Sequence, residues 1–405
     1  MKLTDLEVII TGNPPPGFGG RYFLFVKVQT DTGLVGWGEC YAAAVGPEAM
    51  RAVIEDVFAR HMEGENPENI ELMFRRVYSS GFTQRPDPTV IGAFSGLEIA
   101  CWDILGKDRN RPIHALIGGR VQDRLRAYTY LLPEPQEDAA TFYGSADRAA
   151  EVAAARVAEG FTAVKFDPAG PYTIMGGHQP TMEDLARAEA FCTKIRAAVG
   201  DRADLLFGTH GQFTPAGALR MAQVIAGSRP LWFEEPVPPD DPAAMAQVAA
   251  ASPVPIATGE RLCTIAEFAP LLAARAASIL QPALGRLGGI WEGRKLGVLA
   301  QAAGAQIAPH LYAGPIEWAA NLQLAAALPN FLIAETIGRG DGFHAELLSA
   351  PIAFEEGFLR VPEGPGLGVE LNEAVARAHP YTGTQLHLEM QGEAHTPAAP
   401  PFAGG

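Results

Sequence analysis

Cysteine is scarce in this chain of 405 residues: Cys40, Cys101, Cys192 and Cys263 are the only four, and they lie far apart. No two have the close spacing of a zinc knuckle or a disulfide framework, so they read as buried thiols in a reducing cytoplasm. Positive charge is also short. The 31 Lys and Arg against 46 Asp and Glu leave a net charge of −15. That argues against a nucleic-acid partner, because a phosphate backbone calls for clustered basic residues. It does not exclude a small anion, which a divalent metal holds locally whatever the overall charge. Nothing approaches the run of about 18 apolar residues that a membrane helix requires. At the N-terminus Asp5 and Glu7 break any signal-peptide pattern. No Gly-x-Gly-x-x-Gly follows an early strand, which counts against an open dinucleotide-binding sheet.

What is present is ordinary globular material, 48% hydrophobic and 19% charged, in a length that suits two domains. Residues 1–124 read as an α+β module. Tyr22–Val28 and Leu34–Glu39 are β-rich runs either side of the turn Asp31-Thr32-Gly33, and Pro47–Arg60, Ile70–Tyr78 and Ile91–Gly106 are helical. Over residues 125–343 short apolar runs alternate with Ala-rich amphipathic stretches. The runs are Ala127–Leu132, Ala163–Phe166, Leu205–Phe207, Leu231–Phe233, Pro255–Ala257, Ser278–Leu280, Gln306–Ala308 and Phe331–Ala334. Eight strands separated by helices predict an α/β fold, a (β/α)8-type modified TIM barrel. Residues 344–405 return to a mixed pattern and are expected to rejoin the first module as a capping domain. The Pro/Gly-rich end, 396–405, is expected to be a mobile tail.

In a parallel barrel the active site lies at the carboxyl ends of the strands. The polar residues there are Lys165 and Asp167, His210, Glu234, Glu260, His310 and Glu335. Singly each is weak evidence, since a lone His at a strand end is more often structural. Together, four acids crowd one rim, where they would repel unless a cation held them. Carboxylate oxygens are the ligands magnesium prefers.

Further segments make the pattern specific. Ser95 to Lys107 (SGLEIACWDILGK), Pro112 to Gly119 (PIHALIGG) and Pro365 to Val369 (PGLGV) join the Lys-x-Asp, Glu-Glu-Pro, Gly-Glu and Pro-His motifs in order. The chain thereby resembles the mandelate racemase and muconate lactonizing branch of the enolase superfamily over nearly its whole length. The resemblance implies an α+β cap over a modified barrel. It also implies a Mg2+ ion (Mn2+ or another divalent ion as alternatives) that binds a substrate carboxylate and stabilises the enediolate formed on loss of its α-proton. By position, Glu234 and Glu260 match metal ligands and Lys165 matches a base, with Asp167 where many members have a second lysine. His310 matches the base on the opposite face, and Glu335 an acid that hydrogen-bonds near the substrate carboxylate. His210 is similar to a histidine of galactonate-dehydratase-like members that helps a hydroxyl leave.

Two positions depart from the family. The third metal ligand is usually an Asp where this chain has Gly208, and the equal intervals from Gly208 to Glu234 and from Glu234 to Glu260 exclude a slipped alignment. Either His210 or Asp167 replaces it, or the metal is bound weakly. An imidazole ligand would make manganese or zinc more acceptable. The family's strand-six Asp falls at Ala283, which predicts a less basic His310 and favours Lys165 as the base. Arg21 and Tyr22, in the loop of residues 12–22, are candidates for contacting a polyhydroxy acid, with a solvated turn as the alternative. The Gly-rich loop of residues 167–181 reads equally as a lid or as a plain excursion. The resulting expectation is an acid-sugar dehydratase acting on a small sugar carboxylate, as a cytoplasmic homo-oligomer without nucleic-acid or membrane partners. The rivals are a cycloisomerase of a sugar acid or lactone, a racemase or epimerase, and a non-catalytic binding relative.

Overall fold

The computed structural model describes residues 1–41, 44–82, 84–134, 136–170 and 172–392. The expected mobile tail lies outside the described residues. Three antiparallel strands open the chain: β1 (Leu3–Gly12) pairs with β2 (Tyr22–Thr30), and β2 with β3 (Val35–Cys40). The charged Asp5 and Glu7 hide β1 from a reading by composition. The helices α1 (Pro47–His61), α2 (Ile70–Ser79) and α3 (Pro88–Arg109) pack against this sheet and one another. By length and hydropathy α3 would cross a membrane, yet 83% of its apolar stretch is buried inside the protein. A helix apolar all round is what a core position demands. The four cysteines are free and buried, as expected.

Eight parallel strands follow. They are β4 (Arg124–Tyr130), β5 (Ala163–Phe166), β6 (Asp204–Phe207), β7 (Trp232–Glu234), β8 (Ile256–Thr258), β9 (Ile279–Leu280), β10 (Gln306–Ile307) and β11 (Ala334–Thr336). The first seven lie side by side in chain order. β11 pairs with the second half of β4, Ala334 opposite Ala127, and Phe331 just before it bridges to Ile307 of β10. The eighth strand therefore sits between the first and the seventh. A hairpin, β12 (Phe354–Glu355) and β13 (Phe358–Arg360), lies antiparallel on the first half of β4.

The expected runs and the observed strands differ by a few residues for a physical reason. Apolar runs mark the layer buried in the barrel, whereas the backbone ladder extends into polar positions at either end. β4 begins at Arg124 because β13 lies on it, and Arg126 is bonded to Thr162 and Asp204. Helix starts were easier to read. Pro stands in the first turn of Pro215–Ile225, Pro242–Ala251 and Pro315–Ala326, where its missing N–H costs nothing. Thr181 and Asp184 form a reciprocal capping box on Met182–Val199.

The cap is clasped to the barrel by the segment Ser95–Lys107. Glu98 of α3 accepts hydrogen bonds from the backbone N–H groups of Ile290 and Trp291, both 2.8 Å, at the start of the helix Gly289–Ala302. Ser95 Oγ accepts one from Gly288 at 2.8 Å. A carboxylate thus satisfies the orphan donors of a helix from the other domain. Asp103 similarly accepts from Trp37 and from Leu367, each at 2.9 Å. Gly366 beside it has φ +69° and leaves no room for a side chain, since a Cβ would lie 2.0 Å from Asp103 Oδ1. That explains the glycine of the PGLGV segment. The chain then returns to the first sheet, where Gly12 N–H donates to His379 O at 2.6 Å and Lys27 pairs with Glu373 at 2.6 Å. Glu98→Ala is expected to lower stability by about 3 kcal/mol, because it strands buried donors. Urea unfolding measures this, and an unchanged midpoint would show that the clasp contributes nothing.

Candidate active site

One residue from each barrel strand or its flank forms a buried layer: Tyr128, Ala163, Leu206, Trp232, Ala257, Ile279, Ala308 and Ile333. Side chains alternate along a strand, so the residues two further on point into the same interior, one layer nearer the carboxyl ends. Those are Tyr130, Lys165, Gly208, Glu234, Gly259, Gln281, His310 and Glu335. At Gly259 φ is +129°, and the acid of that strand is the next residue, Glu260. One step further out stand Asp167, His210, Ala283 and Tyr312.

Lys165 is fully buried at the centre of this layer. Its Nζ lies 2.5 Å from Glu234 Oε1 and 3.5 Å from Glu335 Oε1, and 4.6 Å from the centre of the Tyr130 ring. Burial disfavours its charge, but Glu234 and Glu335 outweigh burial and hold its pKa well above the usual lysine value. Glu234 Oε2 accepts from Trp232 Nε1 at 3.0 Å and Gln281 Nε2 at 2.8 Å. Burial pushes Glu234 up to about 7, with Lys165 opposing and Glu260 and Glu335 adding repulsion.

Glu260 lies between the two histidines, its Oε1 3.4 Å from His210 Nε2 and its Oε2 3.3 Å from His310 Nδ1. Burial would raise its pKa, but His210, His310, Lys165 and Arg261 hold it well below the usual carboxylate range. His310 Nδ1 is also 3.0 Å from Glu335 Oε2. Burial works against its charge, yet Glu260 and Glu335 raise His310 to about 9. This corrects the expectation that Ala283 leaves His310 without a carboxylate partner. The fifth and eighth strands supply what strand six lacks.

The second glutamate of Glu-Glu-Pro has a different job. Glu235 is fully buried and pairs with Arg261 Nε at 2.7 Å, while Thr209 Oγ1 donates to the Glu234 and Glu235 carbonyls at 2.5 and 3.0 Å. These bonds tie the ends of three strands together and fix where Glu234 and Glu260 stand. Asp167 Oδ2 accepts from Tyr130 OH at 3.1 Å and from Tyr172 OH. The Tyr172 ring packs edge-on against His210, ring centres 4.3 Å apart.

Arg21 and Tyr22 are used elsewhere. Arg21 binds Leu386 O at 2.8 Å and Glu389 at 3.4 Å, and Tyr22 is buried against Tyr381 and His387. Both hold the C-terminal segment in place. That segment brings His387 within 5.1 Å of Tyr41 and 6.3 Å of Tyr312, ring to ring. The sequence reading missed Tyr130 and Gln281, which the two-residue alternation from Tyr128 and Ile279 would have found. It also missed Tyr172 and His387, which no local pattern signals.

His210, Glu234 and Glu260 offer ligand atoms that all lie within 4.8 Å of one another. Asp167 Oδ1 and His210 Nδ1 are buried without a hydrogen-bond partner. Buried polar atoms are rarely left so. Oxygen donors with one imidazole suit a divalent ion such as Mg2+ or Mn2+, and Glu234, though bonded on both oxygens, keeps free lone pairs. The residues fit a metal.

A parallel barrel under an α+β cap, with its acids gathered at one mouth, defines a class of enzyme scaffold, and comparison gives the family. Residues 18–118 match the N-terminal domain of mandelate racemase / muconate lactonizing enzyme, and residues 147–375 match the enolase C-terminal domain-like family. The chain belongs to the mandelate racemase/muconate lactonizing enzyme branch of the enolase superfamily. It is 33% identical over 388 residues to a D-galactonate dehydratase of Ralstonia nicotianae, covering 93% of each chain. It is also 33% identical over 364 residues to a D-galactarolactone cycloisomerase of Agrobacterium fabrum, covering 88% of this chain and 90% of the other. The crystal structure of a mandelate racemase/muconate lactonizing enzyme-like protein from Roseovarius sp. TM1035 superposes with a TM-score of 0.95 at 66% identity. It covers 97% of this chain and 99% of that one.

The electrostatics of the site predict one titration. A pKa raised in the folded state means that the stability His310 contributes is full below its unfolded value of about 6.5. It is lost as pH rises through about 9. An NMR titration of histidine in chelator-treated protein is expected to give His310 a midpoint near that higher value. A midpoint at the ordinary value would mean the carboxylate contacts do not hold its charge.

Proposed function

We propose that the chain is a metal-dependent acid-sugar dehydratase that removes the α-proton of a sugar carboxylate and expels the β-hydroxyl as water. The observation that carries this is Lys165, fully buried between Glu234 and Glu335 and beside the cluster of His210, Glu234 and Glu260. An amine there is shielded from water and fixed in direction, as a base for a weakly acidic C–H must be. The named activity of the Ralstonia relative supports the same reaction class.

In this reading Glu234 and Glu260 hold the metal. A divalent cation bound there supplies positive charge where the substrate carboxylate gathers a second negative charge, and offsets the carboxylates that keep Lys165 protonated. Lys165 Nζ takes the α-proton. His310, in contact with Glu260 and Glu335, donates a hydrogen bond from the other side. His210, at the outer layer, gives a proton to the departing hydroxyl or serves the cation. The C–H bond breaks toward Lys165, the C–O bond breaks toward the protonated hydroxyl, and the enol that remains becomes a 2-keto-3-deoxy acid. A cycloisomerase is the second reading, favoured by the Agrobacterium relative. It shares the proton removal and differs in what leaves. A racemase would need His310 to act as a second base on the face opposite Lys165.

A screen against a library of acid sugars identifies the substrate. On that substrate Lys165→Ala is expected to abolish exchange of the α-proton with solvent deuterium, and unimpaired exchange would move the role of base to His310. Chelation is expected to stop turnover and added Mg2+ to restore it. His210→Asn separates the two roles of that residue: weaker metal affinity marks a ligand, whereas intact affinity with slow elimination marks an acid. A variant with full affinity and full turnover would remove His210 from the mechanism.

A further inference from the structure

We infer that Asp167, on the end of β5, supplies the metal-binding carboxylate that β6 lacks at Gly208, and that Gly208 is glycine to admit it. The inference rests on the metal-dependent reading above and settles which residue replaces the absent acid.

The first observation is a coincidence in space. A Cβ placed on Gly208 would lie 1.7 Å from Asp167 Oδ1 and 2.7 Å from its Cγ. The carboxylate of Asp167 therefore fills the volume into which any side chain at 208 would grow. Register explains how. Phe166 pairs with Phe207 across the parallel strands, so the next residue of each strand, 167 and 208, are neighbours at the mouth. Two carboxylates cannot share that place. The chain keeps one, and brings it from the neighbouring strand.

The second observation is the state of the carboxylate itself. Asp167 is nine-tenths buried. Its Oδ2 takes the hydroxyls of Tyr130 and Tyr172, whereas Oδ1 is buried with no hydrogen-bond partner. Two tyrosines thus fix the group and leave one oxygen with its lone pairs free, and a carboxylate oxygen is a hard ligand for a divalent ion. The obvious objection is that Asp167 is neutralised by Lys165, two residues before it. The structure answers it, because the Lys165 ammonium is paired with Glu234 and Glu335. Asp167 also borders the candidate ligands, with Oδ2 3.7 Å from Nδ1 of His210, whose Nε2 faces Glu260.

The test measures metal affinity directly, with Mn2+ as the probe, by calorimetry on chelator-stripped full-length protein. Asp167→Asn, which keeps the shape and the tyrosine contacts, is expected to weaken Mn2+ binding by at least about 100-fold, the upper end of what losing even an outer-shell partner of a metal costs. Asp167→Ala is expected to do the same. Adding Gly208→Asp to Asp167→Ala returns a carboxylate to β6. Gly208 is not in the left-handed region, and with the Asp167 carboxylate gone the tightest contact left for its Cβ is Lys165 Cε at 3.2 Å, which a shift of a few tenths of an ångström in the lysine chain relieves. That double variant is expected to recover affinity to within about 10-fold of the parent. Thermal melts confirm that each variant is folded. Asp167→Asn binding Mn2+ within about 2-fold of the parent would overturn the inference and leave the metal-dependent reading intact. So would loss in the single variants without recovery in the folded double variant, the result that a merely structural role for Asp167 gives. A parent protein that binds no Mn2+ would overturn the metal-dependent reading itself.

Discussion

The site is organised around a lysine ammonium with no access to water. Removing an ion from water costs several kcal/mol even after the surroundings relax, so Lys165 stays charged only because Glu234 and Glu335 lie against it. Those carboxylates in turn crowd Glu260, which leans on His210 and His310. The acids at the mouth are therefore held by charges that a catalytic cycle must move. In the proposed reading, a divalent ion held among them would relieve the crowding and lower the hold on the Lys165 proton, so a metal and a base belong to the same account.

Geometry of this kind depends on the barrel's strict alternation. One layer of side chains is apolar and closes the interior; the next carries the chemistry, with Lys165, Glu234, Gln281, His310 and Glu335 each two residues beyond a packed neighbour. Around it, residues with no part in the reaction hold strand ends in place. The Glu235–Arg261 pair and the hydroxyl of Thr209 join three strands. Glu98 and Asp103 of α3 fasten the cap to the barrel and to the returning C-terminal segment. The family motif in that helix is thus a set of buried acids bonded to backbone amides.

Much of this was legible in the sequence. Eight apolar runs became eight parallel strands, and the polar residues after them, Lys165, Asp167, His210, Glu234, Glu260, His310 and Glu335, meet at one mouth. What was not legible depends on contacts between distant segments. The sequence showed that Ala283 removes a partner from His310, but not that Glu335 and Glu260 converge on the same nitrogen. It offered Arg21 and Tyr22 either as substrate contacts or as part of a solvated turn, whereas in the structure both contact residues 386–389, remote in sequence. At Gly208 the sequence left His210, Asp167 or a weakly bound metal open, and only the structure shows the carboxylate of Asp167 filling the space beside that glycine.

The central claim is that these buried acids are arranged for a cation. Crystals of the full chain soaked in Mn2+, with data collected near the manganese absorption edge, test it most directly. The account predicts a single anomalous peak at the barrel mouth within bonding distance of Glu234 and Glu260. No peak there, with Lys165 still bonded to Glu234 and the remaining carboxylate oxygens unclaimed, would contradict it.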